Sequence, residues 1–153
     1  MNRRDLLLGA SALAVAATAS TASAADHHHD HMNHDHHVPG AGKYASLIKS
    51  AADCQVAGDE CIAHCIVSMK SGDTTLADCL KSATEMMAVC PATSKLAAMD
   101  SASVKQMIAV CADICAACEK ECRKHEKTHA TCKACADACA KCVDECKKAL
   151  KAA

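Results

Sequence analysis

The sequence has no phenylalanine and no tryptophan, and its one tyrosine is Tyr44. After residue 24, leucine, isoleucine and valine together make up only about 13% of the chain, a level at which chains normally fail to build a hydrophobic core. Glycine and proline are scarce as well, at 5 and 2 residues. No alternating strand pattern occurs anywhere, which excludes a sheet-based fold. Excess charge of either sign is also missing, since 17 basic and 18 acidic side chains nearly cancel. That balance supports neither a nucleic-acid footprint nor an acidic interaction tail. What remains abundant is alanine at helical spacing and cysteine, of which there are 14. The cysteines are the only residues numerous enough to occupy the interior.

The first residues read as an export signal, residues 1–24. Arg3 and Arg4 form a charged start, an uncharged apolar run follows from Leu6 to Ala19, and Ala22-Ser23-Ala24 offers a small-residue cleavage site. The segment "NRRDLLL" resembles a twin-arginine signal, with Leu6 and Leu8 departing from that pattern. An ordinary Sec signal is the alternative. The run is too short for a membrane span and lacks a stop-transfer pattern, so the expectation is an exported, periplasmic protein without a span. Residues 25–42 form a His-rich tail, with seven histidines in "DHHHDHMNHDHH" followed by Val38-Pro39-Gly40. Its imidazoles could recruit Cu(II) or Zn(II), or the tail could be a solvated spacer. Residues 43–153 are expected to be the metal-binding domain.

Within that domain, breakers and capping residues predict four helices. The first spans residues 43–69 and ends before Gly72. The second starts with Asp73 or Thr74 as cap and stops at Cys90, before Pro91. A connection over residues 93–99, with room for one short turn of helix, leads to the third, over 100–125, and Thr128 caps a fourth that runs to residue 151. Short links between similar helices make neighbours antiparallel, so the fold class is all-α, an antiparallel four-helix bundle.

At about 100° per residue, the cysteines of each helix fall on one stripe. Cys54, Cys61 and Cys65 align on the first, and Cys79 and Cys90 on the second. Cys111, Cys115, Cys118 and Cys122 share a face of the third. Cys132, Cys135, Cys139, Cys142 and Cys146 follow the 3-4-3-4 spacing of a heptad seam on the fourth. Lys133, Asp137, Lys141 and Asp144 lie off that seam. All the thiols are expected to point at a common axis.

Cysteine could serve there as a small hydrophobe, but a stripe on every helix in place of leucine is more than packing requires. A disulfide framework suits an exported chain with an even cysteine count. However, partners three or four apart on one helix run side by side, which strains the disulfide dihedral, although some cross-bundle pairs could close. Metal ligation fits the spacing best. An iron–sulfur run needs loop geometry and usually a proline after its last cysteine. Zinc at four thiolates per ion would use about three and a half ions and leave roughly seven buried negative charges, a heavy desolvation cost. Cu(I) is soft and accepts low coordination, and with each thiolate bridging two ions the ratio approaches about one per cysteine and the core is neutral.

The twin-arginine-like start, "DECIAHCIVSM" (59–69), "VCADICAACEKEC" (110–122) and "CKACADACAKCVDEC" (132–146) together resemble the copper storage proteins, specifically their exported branch. The resemblance covers most of residues 43–150. It implies a four-helix bundle, a homotetramer, and core thiolates that hold many Cu(I) ions for client copper enzymes. It also implies storage and not catalysis, and no Ser/His/Asp set, carboxylate cleft or phosphate loop speaks for an enzyme. The His-rich tail departs from the family pattern. A zinc-binding, metallothionein-like detoxifier and a chaperone passing single copper ions are the other readings.

The end where helices one and three finish carries His64, Met69, His125 and His129, candidate ligands for a copper uptake relay. The opposite end is expected to hold Met86, Met87, Met99 and Met107 as core filling near Leu47, Ile48 and Leu150.

Overall fold

The computed structural model describes residues 42–152. The expected export signal and nearly all of the His-rich tail lie outside the described residues. Four helices follow in order: α1 (Ala45–Lys70), α2 (Ala77–Ala98), α3 (Val104–Arg123) and α4 (Ala130–Ala152), with one 3-10 turn (Thr74–Leu76) before α2. Each helix packs on two others, α1 on α2 and α4, and α3 on α2 and α4. This is the square, antiparallel bundle expected from the short connections.

The turns explain where the helices stop. At the end of α1, Asp73 N–H donates to the Ser68 carbonyl (3.1 Å) and Gly72 N–H to that of Met69 (3.0 Å), the double bond of a Schellman cap. Gly72 sits at φ +101°, where a side chain is strained. Asp73 then opens the next turn as anticipated, its carboxylate accepting from Thr75 N–H at 3.1 Å.

Two expected boundaries are corrected. Pro91 does not end α2, which runs on to Ala98. Pro91 forfeits only its own N–H, while continuing the helix buries Thr93 and Ala97 completely. The stop is Asp100, at φ +45°, where Ser101 N–H reaches the Leu96 carbonyl (3.0 Å) and Asp100 N–H that of Ala97 (3.2 Å). Residues 93–98 are therefore helix and not connection. Thr128 does not cap α4 either, because its hydroxyl turns back to the His125 carbonyl at 3.3 Å.

Tyr44, Leu47, Val104 and Ile108 fill the end of the bundle where α1 begins, and Leu76 is buried at the other. The methionines are not grouped at that first end. Met86 is fully buried and Met99 is 63% exposed. Met86 and Met87 lean on Gly58 in the middle of α1, where an added Cβ would lie 2.6 Å from Met86 Cε and 2.7 Å from Met87 Sδ. The glycine that weakens α1 by propensity thus makes room for two side chains of α2. Outside, Arg123 joins Glu119 (3.3 Å), Glu126 (2.9 Å) and Asp137 (2.6 Å), tying α3 to α4.

Replacing Gly72 with Ala should destabilise the reduced, metal-free bundle by about 1 kcal/mol, the usual cost of a side chain in the left-handed region. Urea denaturation followed by circular dichroism measures it, and an unchanged midpoint would refute the cap assignment.

Candidate metal centre

The cysteine stripes meet as the spacing requires. All fourteen thiols are free, and each cysteine has a relative exposure of 0%. None of these sulfurs is bonded to another, the closest recorded Sγ pair, Cys79 and Cys122, standing 3.4 Å apart. Further cross-helix pairs follow along the axis. Cys90 and Cys115 stand 3.6 Å apart, Cys61 and Cys79 3.7 Å, Cys118 and Cys135 3.8 Å, and Cys111 and Cys142 4.0 Å. These spacings leave room for a metal ion between sulfurs without moving the backbone far.

Five sets of thiols, each with sulfurs within 4.8 Å of one another, together include every cysteine. One draws a ligand from each of the four helices: Cys54, Cys90, Cys115 and Cys142. A second is Cys61, Cys65, Cys79 and Cys132. The others are Cys61 with Cys122 and Cys135, Cys111 with Cys142 and Cys146, and Cys118 with Cys135 and Cys139. Cys61, Cys135 and Cys142 each belong to two sets. A thiolate shared in this way bridges, and bridging favours an extended cluster over isolated tetrahedral ions.

The histidines also converge. His64 Nε2 lies 2.8 Å from His129 Nδ1, and Ser68 Oγ lies 3.4 Å from the same His64 nitrogen. The His125 ring stands edge-on to His129, with centroids 6.2 Å apart. Asp73 faces the far side of the pair, its Oδ2 3.7 Å from His129 Nε2. One ring nitrogen of the His64–His129 pair donates and the other accepts, in the sense that the tautomers set. The Thr75 hydroxyl and N–H, with smaller help from His129 and His125, hold the Asp73 carboxyl below its usual range. Met69 is half-buried against the core. Sequence reasoning placed these residues at one end but missed Ser68 and Asp73 as their neighbours. The only signal for Asp73 was its role as a cap.

A four-helix bundle whose axis is a ladder of overlapping thiol sets belongs to the class of high-capacity binders of soft monovalent metal. Comparison with known proteins gives the same class. The family described as "Csp: Copper storage protein" matches residues 40–151. The chain therefore belongs to the copper storage protein family. The Cu(I)-bound copper storage protein BsCsp3 of Bacillus subtilis is similar to it, with 34% identity and a TM-score of 0.64 over 69% of this chain and 96% of that one. The copper storage protein Ccsp from Streptomyces lividans, loaded with 10 copper equivalents, matches at 26% identity and a TM-score of 0.68, covering 77% of this chain and 90% of its own. The uncharacterized cysteine-rich protein YhjQ of Bacillus subtilis (strain 168) is 36% identical over 84 residues, which is 55% of this chain and 76% of that protein.

Burial, reinforced by the charges of Cys61 and Cys79, pushes the Cys65 and Cys132 thiols well above their ordinary value of 9.0. These thiols are protonated in the metal-free fold at neutral pH, and the unfolded chain ionises them first as pH rises. Their contribution is intact below about pH 9 and declines above it, by about 1.4 kcal/mol per pH unit for each thiol. The melting temperature of the reduced metal-free protein should therefore fall between pH 9 and pH 10.5. A flat profile would contradict the burial assigned to these two groups.

Proposed function

We propose that this chain stores Cu(I) at high capacity, as the thiolate-bridged filling of its own core. The observation that carries the reading is the overlap of the thiol sets through Cys61, Cys135 and Cys142, all buried and all free. Each Cu(I) replaces a thiol proton, so the filled core stays neutral, and thiolates shared between neighbouring ions raise the ratio toward about one copper per cysteine. The site residues are Cys54, Cys61, Cys65, Cys79, Cys90, Cys111, Cys115, Cys118, Cys122, Cys132, Cys135, Cys139, Cys142 and Cys146. The copper-bound state of the related BsCsp3 and Ccsp supports the choice of metal. The role is storage and not catalysis, as the family indicates and as a core without an open substrate position suits.

Export follows from residues 1–24, read as a twin-arginine-like signal, with residues 25–42 as a tail and 43–153 as the storage domain in the periplasm. Among the described residues no helix is long and apolar enough to cross a membrane. The assembly is a homotetramer, and the clients are copper enzymes that draw on the store.

Copper arrives at the end that carries His64, Met69, His125 and His129. There, neutral nitrogen and thioether ligands can take Cu(I) from a carrier without losing a proton. Tyr44 and Leu47, each 2% exposed, close the opposite end with apolar packing.

Titration of the reduced protein against a Cu(I) chelator should reach roughly fourteen equivalents, with zinc saturating at about a quarter of that. A Cu(I) end point of three or four would sink the storage reading in favour of discrete sites. Replacing both His64 and Met69 with Ala should slow Cu(I) uptake and removal severalfold while capacity barely changes. Stopped-flow loading at the wild-type rate would move the mouth elsewhere.

A further inference from the structure

The thiol ladder has one gap on its α1–α2 side. On α1, Gly58 lies on the cysteine stripe between Cys54 and Cys61 and is buried. On α2, Met86 falls seven residues after Cys79 and four before Cys90, about 20° around the helix from the first and about 40° from the second, so it shares their face. The Sγ pairs Cys90–Cys115 (3.6 Å) and Cys79–Cys122 (3.4 Å) fix how α2 stands against α3. Between those two pairs α3 presents Cys118, and α2 presents no cysteine at all. Met86 occupies that height, fully buried, its methyl group extending into the space that the missing Gly58 side chain leaves open.

The gap falls at a consequential place. The two four-thiol sets, Cys61/Cys65/Cys79/Cys132 and Cys54/Cys90/Cys115/Cys142, have no cysteine in common. The first set lies toward the histidine end and the second lies deeper. On the α3–α4 side Cys118, Cys135 and Cys139 span the interval. On the α1–α2 side two thioethers stand at that height beside Gly58, and of the two only Met86 is fully buried and on the cysteine stripe, Met87 being half-buried and off it.

We propose that Met86 is a Cu(I) ligand of the core, a neutral sulfur across which copper passes from the outer four-thiol set to the inner one. The inference rests on the storage reading above. In the transfer a copper–thiolate bond on the outer set breaks as the copper–thioether bond forms, and that bond in turn breaks as an inner thiol gives up its proton and binds, while the vacated outer thiolate takes up a proton in exchange. Copper remains Cu(I), no electron moves, and the thioether has no proton to lose. A thioether is soft enough to bind and, being uncharged, weak enough to release. A cysteine at this height would hold the ion as another storage ligand. A leucine would fill the same volume and bind nothing, which separates ligation from the ordinary use of methionine to fill gaps.

The test uses the reduced full chain carrying 13C-labelled methionine methyl groups, titrated with Cu(I) alone. The Met86 resonance, assigned by its loss in Met86→Leu, should shift during loading. That of Met87, which leans on the same glycine away from the stripe, should move far less. In Met86→Leu the later half of copper uptake should slow by roughly tenfold, equivalent to about 1.4 kcal/mol of barrier. Met86→Cys should hold about one further Cu(I) without restoring the wild-type rate. A Met86 resonance that stays in place to saturation, a shift shared equally by Met87, or a Met86→Leu protein that loads like wild type would each overturn the proposal. Wild-type capacity near one copper per cysteine alongside any of these leaves the storage reading standing. A capacity of a few ions overturns storage itself.

Discussion

A cysteine side chain has two natures, and the bundle depends on both. Protonated, it is a small apolar group that packs like alanine with one heavier atom. Deprotonated, it is a soft anionic ligand that cannot remain in a dry interior unless a cation accompanies it. Fourteen such groups, none exposed, form the interior of α1 to α4. The empty fold is held by their packing and the filled one by their bonds. The near absence of large side chains follows from this, since a phenylalanine on the axis would separate the sulfurs that must share ions. Only Met86 introduces bulk among the thiols, and a glycine opposite makes room for it.

Charge selects the metal as much as softness does. A divalent ion with four thiolates carries a net negative charge into a low dielectric, and a ladder of such sites multiplies the cost. A monovalent ion shared between thiolates carries none. The overlap at Cys61, Cys135 and Cys142 makes that sharing geometrically ready, because a sulfur already within reach of two sets needs no rearrangement to bridge. The histidine pair at the end follows another logic. His64 and His129 pair at 2.8 Å outside the thiol ladder, with the Asp73 carboxylate 3.7 Å from the far nitrogen of His129.

Most of this was legible in the sequence, because helical stripes and metal spacing share one periodicity. The stripes on all four helices and the cap at Asp73 needed nothing beyond local chemistry. What was not legible depended on tertiary contacts. Pro91 looks like a stop, yet the burial of Thr93 and Ala97 outweighs one lost hydrogen bond. Asp100 gives no strong local sign that it will take a left-handed conformation and end the helix. Met86 was expected at an end because its distance from Gly58 depends on how far α2 slides along α1, which the turn at Gly72 and Asp73 determines. The pairing of His64 with His129, 65 residues apart, is set by the same relation between helices.

The complete burial of neutral thiols has a consequence for anything that meets the protein from outside. Every Cu(I) that replaces a thiol proton leaves the net charge as it was, so the molecule carries the same charge whether the core is empty or full. The ring of lysines and carboxylates around the helices keeps its pattern, and the field that a passing molecule senses at a distance is unaltered. Full and empty molecules would migrate alike in native electrophoresis and elute alike from an ion-exchange column, differing in mass and not in charge. A partner that distinguishes them has to do so by direct contact, because long-range electrostatics carries no message about the load.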